Sequence, residues 1–416
     1  EDDFQSKPLL VLLKLGDDLR QDQLTLQLLS VMDMMWKEAG MDLCMSPYGC
    51  VSMGDEVGLI EIVPRAKTVS SIIAESAKGT SSALLRSFKA AFSSENSVLD
   101  WIVAQANKPK QSAALLQSEV GEENDVSSPP SGSHRSQHRH RRLLTEVDFL
   151  SGRSEYNPKE QEHWITFQQQ IQGHEQLSNR SSRKKHLVVS KHFKSLALTP
   201  QLMRSIDRFM HSLAGYCVAT FVLGIGDRHP SNLLMTDSGK FLHIDFGHFL
   251  GHFKTKYGFK RETAPFVFTP QFAAVLGGTG SVLYSRFETL CCDAFIELRQ
   301  RSELLITLFS LMLGSGIPQL QRKKDIIWLR QKLMPSLSEQ EARREFRALI
   351  ETSVKCERTQ FNNFCVSYLL PLPSDPALSI LVSPRPFPPF FVMVSPFHFT
   401  HSCHTHAPFL LFFSTH

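Results

Sequence analysis

The chain has 416 residues, 42% hydrophobic and 21% charged, with a formal net charge of +4, which is enough apolar content for at least one substantial core and a mild basic excess suited to an anionic partner. With the acidic, polar start EDDFQSKP no secretory signal is expected, and the longest apolar run, Ala214–Ile225, falls short of the roughly 18 residues of a membrane span. Eight cysteines, at 44, 50, 217, 291, 292, 356, 365 and 403, show no CxxC or other metal-ligand spacing and read as buried thiols of a reducing, cytoplasmic compartment.

Residues 8–15, PLLVLLKL, form an apolar run that stops at the turn-prone Gly16-Asp17-Asp18, the pattern of a buried strand. Leu24, Leu28, Val31, Met32 and Met35 then recur at helical spacing as far as Trp36, with Gly40 as the stop. Two short strands, Cys50–Met53 and Gly58–Val63, flank the turn signal Gly54-Asp55, so residues 8–65 read as an α+β lobe. From about 107 to 190 the composition turns to Ser, Pro, His, Arg and Gln, and a disordered linker is expected because such a segment buries too little apolar surface to offset chain entropy. Its His/Arg tract has neither metal-ligand spacing nor stacking aromatics, so no nucleic-acid partner is expected.

Order returns at Pro200, where Leu202, Ile206, Phe209 and Leu213 make a helical stripe leading into AGYCVATFVLGIG, apolar on nearly all sides and therefore buried. After residues 226–232, LLM-TDSGK-FLHID reads as a hairpin around an Asp-Ser-Gly turn. Residues 283–313 and 324–350 carry helical spacing, interrupted at Gly314–Pro318, and make a mostly helical second lobe. From about 366 onward the prolines break any helix or central strand, and the tail reads as translated non-coding sequence, without expected structure.

The chemistry is concentrated between Gly226 and Gly247. Phosphoryl transfer from ATP needs a cation for the phosphates, oxygen ligands for magnesium and a group to receive the acceptor hydroxyl's proton. Asp227-Arg228-His229-Pro230-Ser231-Asn232 packs an acid, a base and a magnesium-type oxygen ligand into one loop, and Asp245-Phe246-Gly247 adds a second hard oxygen where the hairpin ends. Each element alone is weak, since an isolated DFG is close to chance and a lone buried Asp or His is usually a satisfied structural group. Their order around one short hairpin is what a loop that merely caps helices does not explain.

GIGDRHPSNLL with HIDFGHFLG resembles the catalytic and metal-binding loops of the phosphatidylinositol 3-/4-kinase superfamily, and AGYCVATFVLGIGDRH is most similar to class I phosphoinositide 3-kinases of the gamma and delta types. KLGDDLRQD, LCMSPYGC and GLIEIVP are similar to that family's ATP-lysine strand, inner pocket and hinge. The resemblance covers roughly 8–105 and 195–365 and implies a bilobal α+β kinase fold: a small antiparallel-sheet lobe over 1–66, incomplete at its start, then the first helices of the large lobe over 67–106. An insert at 107–190, the rest of the large lobe at 191–365 and a tail at 366–416 that the family does not share complete that division.

Carried onto matching positions, the resemblance implies ATP and Mg2+ as cofactors. It makes Lys14 the phosphate-contacting lysine, places Asp22 and Tyr48 in the inner ATP pocket and gives Glu61 and Val63 the hinge hydrogen bonds to adenine. It makes Asn232 and Asp245 the metal ligands and Asp227, His229 and His248 the catalytic residues. Either His229 or Asp227 can be the base, with His229 favoured because neutral imidazole titrates near the working pH, and Arg228 reads as a structural ion-pair partner. Lys254, Lys256, Lys260 and Arg261 resemble the basic boxes with which class I enzymes accept the headgroup of phosphatidylinositol 4,5-bisphosphate, implying phosphorylation of its 3-OH at the membrane surface.

The same resemblance implies a regulatory subunit, a small GTPase and peripheral recruitment to the plasma membrane through domains outside this sequence, and a phosphate-covering loop ahead of it. Two rival readings are weighed. DRHPSN is also similar to the loop of target-of-rapamycin-like Ser/Thr protein kinases, although KTKYGFKRE is not, and the shortened start is compatible with an inactive nucleotide-binding fragment.

Overall fold

The computed structural model of the protein describes residues 9–54, 56–76, 95–108, 158–172, 189–253, 255–256, 259–260, 264–356 and 391–395. Strand β1 (Leu10–Leu15) pairs antiparallel with β3 (Val57–Glu61), and β3 with β2 (Cys50–Gly54). Here β1 departs from expectation. It is half-exposed rather than buried, with Leu10 at 46% and Leu15 at 44%, because its edges are paired but its faces are only partly covered. Helix α1 (Arg20–Glu38) packs on β2 and buries Leu24, Leu28, Met32 and Met35 of the expected stripe, together with Trp36, while Val31 is partly buried.

Beyond the small sheet come β4 (Ala66–Thr68), α2 (Val69–Ser76) and α3 (Ser97–Ala106). A second correction follows at α4 (Pro158–Gln172), a helix inside the segment expected to be a disordered linker. Trp164 and Phe167 are fully buried there, Trp164 Nε1 donates to Asp207 Oδ2 at 2.7 Å, and Val282 N–H donates to Gln170 Oε1 at 3.1 Å. Trp164, Phe167 and Ile171 stand at i, i+3 and i+7, so a narrow apolar stripe was present but diluted by the surrounding Gln and Glu. The low-complexity runs at 127–142 and 178–186 lie outside the described residues.

After the short α5 (Lys191–Lys194), α6 (Pro200–Leu223) runs through the middle of the large lobe with nearly every residue buried. Its bounds follow local rules: the Thr199 hydroxyl accepts from Leu202 N–H, Pro200 takes the first turn and Gly224 ends it at φ 59. The hairpin β5 (Leu233–Thr236) and β6 (Phe241–His243) pairs with β4 into a three-stranded sheet packed against α6. Strands β7 (Thr255–Lys256) and β8 (Phe259–Lys260) make a separate two-stranded ladder.

The rest is helical: α7 (Pro270–Val275), α8 (Val282–Gln300), α9 (Ser302–Leu311), α10 (Lys323–Lys332) and α11 (Glu339–Val354). An aromatic cluster of Phe221, Phe266, Phe295 and Phe346 joins α6, α8 and α11, with ring centroids 4.8–6.3 Å apart. The two lobes meet through α1, whose Trp36 Nε1 donates to Ala294 O at 2.9 Å and whose Glu38 pairs with Arg301. The chain is therefore α+β, with small, mainly antiparallel sheets and a mainly helical larger part. One more strand, β9 (Phe391–Ser395), pairs parallel with β1, in a tail for which no strand was expected; the proline-free run from Phe390 to Ser395 is long enough to make it.

Candidate active site

Two glycines and a tryptophan bring the loops together. Leu250 N–H donates to Leu223 O at 2.7 Å and Gly251 N–H to Gly224 O at 3.1 Å, so the segment after Asp245 is laid along the end of α6. Trp328 of α10 closes over this crossing. A Cβ on Gly224 would stand 2.5 Å from Trp328 Nε1 and one on Gly251 2.6 Å from the same ring, so neither position has room for a side chain. Gly226 N–H donates to His248 O at 2.9 Å, closing the gap between the two chemical loops.

Arg228 is the clamp between them. It is 5% exposed, donates from Nε to Gly226 O at 2.6 Å, from Nη1 to Ile244 O at 2.7 Å and from Nη2 to Asp245 O, and lies 5.6 Å from the Phe246 ring centroid. The sequence suggested a structural role for it, and the structure gives that role at least these three main-chain carbonyls, for which the guanidinium fork is suited. Asp227 and Asp245, with φ 58 and 61, both take the left-handed conformation, which Asp tolerates better than most residues. That turn lets each loop reverse within one residue.

Asn232 is 7% exposed and its Nδ2 donates to Asp227 O at 3.1 Å, while Ile244 N–H donates to Asn232 O at 3.1 Å. The first bond directs the carboxamide nitrogen into the loop. Asn232 therefore lies beside Ile244, next to the exposed Asp245. Among the described residues no group of three or more His, Cys, Asp or Glu could hold a metal. One carboxylate and one amide oxygen fit Mg2+, which keeps waters and takes its remaining ligands from phosphate.

The small lobe delivers its residues to the same place. Asp22 Oδ1 accepts Phe246 N–H at 2.7 Å; burial foremost, with the Asp245 charge adding to it, pushes this carboxyl up to about 6, against the pull of that N–H and of Lys14. Lys14 pairs with Asp17, which the sequence marks only as a turn residue. Burial acts most strongly to lower its ammonium, yet Asp17, Asp245 and Asp22 together hold it above its ordinary value. Tyr48 is buried, which drives its phenol well above the usual range, with the Asp22 charge adding to it against the pull of the Asp245 main chain. Glu61 ends β3, where its carboxylate accepts Gly49 N–H at 2.7 Å, and Ile62 N–H to Leu10 O at 2.9 Å pins the chain just before Val63.

The structure thus gathers Lys14, Asp22, Tyr48, Asp227, Asn232, Asp245 and His248 around one junction, with His229 at the start of the short 3-10 turn Pro230–Asn232. Lys256 and Lys260 fall on β7 and β8, and Lys254 and Arg261 lie outside the described residues. Two residues that touch this junction were given no role from the sequence: Gln21, which stands inside KLGDDLRQD, and Gln319, a polar side chain with no motif around it.

Residues 9–322 match the family model described as phosphatidylinositol 3- and 4-kinase. Among curated proteins, the chain is 34% identical over 362 residues to "Phosphatidylinositol 3-kinase 1" of Dictyostelium discoideum, covering 87% of this chain and 17% of that protein. It is 36% identical over 358 residues to "Phosphatidylinositol 3-kinase 2" of the same organism, covering 86% of this chain and 14% of that one. The chain thus spans less than a fifth of the length of these relatives.

Proposed function

The chain belongs to the phosphatidylinositol 3- and 4-kinase family, and from that premise we propose that it transfers the γ-phosphoryl group of ATP to the inositol 3-OH of a phosphoinositide, with phosphatidylinositol 4,5-bisphosphate as substrate. The observation that carries this reading is the Arg228 clamp, which joins the DRHPSN loop to the DFG segment through Ile244 O and Asp245 O, as a site combining acid, base and metal-type oxygens would require.

In this reading Lys14, Asp22 and Tyr48 border the ATP phosphates and inner pocket, and Glu61 and Val63 offer main-chain groups to adenine. Lys14 suits the first role because its raised ammonium stays charged at neutral pH. Asn232 and Asp245 hold Mg2+, which when bound neutralises charge on the phosphates. Asp227 and His229 orient the hydroxyl and take its proton, and His248 faces the transferring group. Lys254, Lys256, Lys260 and Arg261 meet the 4- and 5-phosphates, favoured by the place of Lys256 and Lys260 on the β7–β8 ladder that follows the metal segment. Binding at the plasma membrane is peripheral in this reading; no helix among the described residues is long and apolar enough to cross a membrane. A regulatory subunit and a small GTPase complete the proposed set of partners.

The test is phosphorylation of vesicles containing phosphatidylinositol or its 4,5-bisphosphate, with ATP and Mg2+. The bisphosphate should become 3-phosphorylated, Asp245→Ala should lower kcat by at least about a thousandfold, and Lys260→Ala with Arg261→Ala should erase the preference for bisphosphate. Equal turnover of both lipids by the unmodified chain, or a peptide substrate phosphorylated in their place, would overturn the assignment.

A further inference from the structure

The stretch Phe246–Phe249 is held by two glutamines from distant parts of the chain. Gln21, in the first turn of α1, donates from Nε2 to Phe246 O at 2.9 Å and to Gln319 Oε1 at 3.3 Å. Gln319, in the link between α9 and α10, accepts Phe249 N–H on Oε1 at 2.8 Å, and its Nε2 lies 3.1 Å from His248 Nδ1.

Two of these contacts have a fixed direction, because a main-chain carbonyl only accepts and a main-chain N–H only donates. Phe246 O therefore sets the amide of Gln21, and Phe249 N–H sets that of Gln319. With Oε1 of Gln319 engaged twice, its Nε2 faces the imidazole and can only donate. Nδ1 of a neutral His248 must then be the acceptor, and the ring proton belongs on Nε2. His248 O is meanwhile held by Gly226 N–H, so the residue is fixed at its main chain as well as at its ring.

We propose that Gln319 is a positioning residue that holds His248 in the tautomer protonated on Nε2, so that this imidazole serves phosphoryl transfer as a hydrogen-bond donor to a phosphate oxygen and not as the base. The donor role rests on the function proposed above; the tautomer does not. Removal of the hydroxyl proton then falls to His229 or Asp227.

Gln319→Glu is the informative substitution, because it keeps an oxygen for Phe249 N–H and Gln21 and reverses only the contact with His248. In the full chain labelled with 15N-histidine, the His248 signals are assigned by their loss in His248→Asn. They should show the Nε2-protonated pattern in the natural sequence and gain an Nδ1 proton in Gln319→Glu. In the lipid assay Gln319→Glu should lower kcat by about tenfold or more, the scale seen when an outer hydrogen-bond partner is lost, with KM for ATP held within about twofold. Gln319→Met, which cannot donate, should lose activity in the same direction. A natural-sequence spectrum with the proton on Nδ1, or a His248 spectrum unchanged in Gln319→Glu, overturns the proposal. A shifted tautomer with kcat unchanged overturns the donor role. If the spectra behave as expected and the natural sequence phosphorylates no lipid, the positioning of His248 stands and the proposed function falls.

Discussion

Asp22 shows how one buried carboxylate can report on the junction it helps to build. It supports the DFG segment from α1 by accepting Phe246 N–H, and burial raises it from 3.8 to about 6. Since its folded-state value lies above its unfolded one, folding favours the protonated form. The stabilising share is complete below about pH 4 and is lost as pH rises through about 6, a swing on the order of 3 kcal/mol. Asp22→Asn, which cannot ionise but keeps an oxygen for Phe246 N–H, should flatten the fall in thermal midpoint between pH 4 and 6. An unchanged slope would mean that Asp22 is not the titrating group. Arg228 makes a related point at the same scale: DRHPSN announces its presence, but only its three carbonyl partners reveal that it binds one chemical loop to the other.

Among the elements, α4 and α6 stand at opposite ends of what a sequence pattern can reveal. In α6 the cap at Thr199, the proline after it, the apolar run and the final Gly224 agree, so its bounds follow from local rules. In α4 only Trp164, Phe167 and Ile171 mark the buried side, in a stretch otherwise rich in Gln and Glu, and composition outweighed periodicity. Its docking is testable. Phe167→Ala should cost about 3–5 kcal/mol, the range for truncating a buried phenylalanine, measured as a fall in denaturation midpoint. A surface residue would cost under about 0.5 kcal/mol, and that result would remove α4 from the core. Strand β9 illustrates the opposite difficulty, since its pairing with β1 depends on a partner edge hundreds of residues away and not on its own composition.

For the whole molecule, the cysteines give a global readout. The described ones are free thiols, and burial pushes Cys44 up to about 11 and Cys50 up to about 12. With Cys356, Cys365 and Cys403 replaced by serine, a thiol reagent at pH 8 should react with the native chain at least about a hundredfold more slowly than with the denatured one, and a fast native phase would show that a thiol is accessible. By itself the sequence determined the two-lobed α+β class, the long buried α6, the catalytic hairpin and the residue types for phosphoryl transfer, because capping, periodicity and turn chemistry act over a few neighbouring residues. Only the tertiary structure decided that Arg228 grips carbonyls, that Gln21 meets Phe246 O and Gln319 meets the ring of His248, that α4 enters the core and that β1 lies half-exposed. Those outcomes depend on contacts between segments far apart in the chain, and a polar side chain with no motif around it shows its role only when its partners are in place.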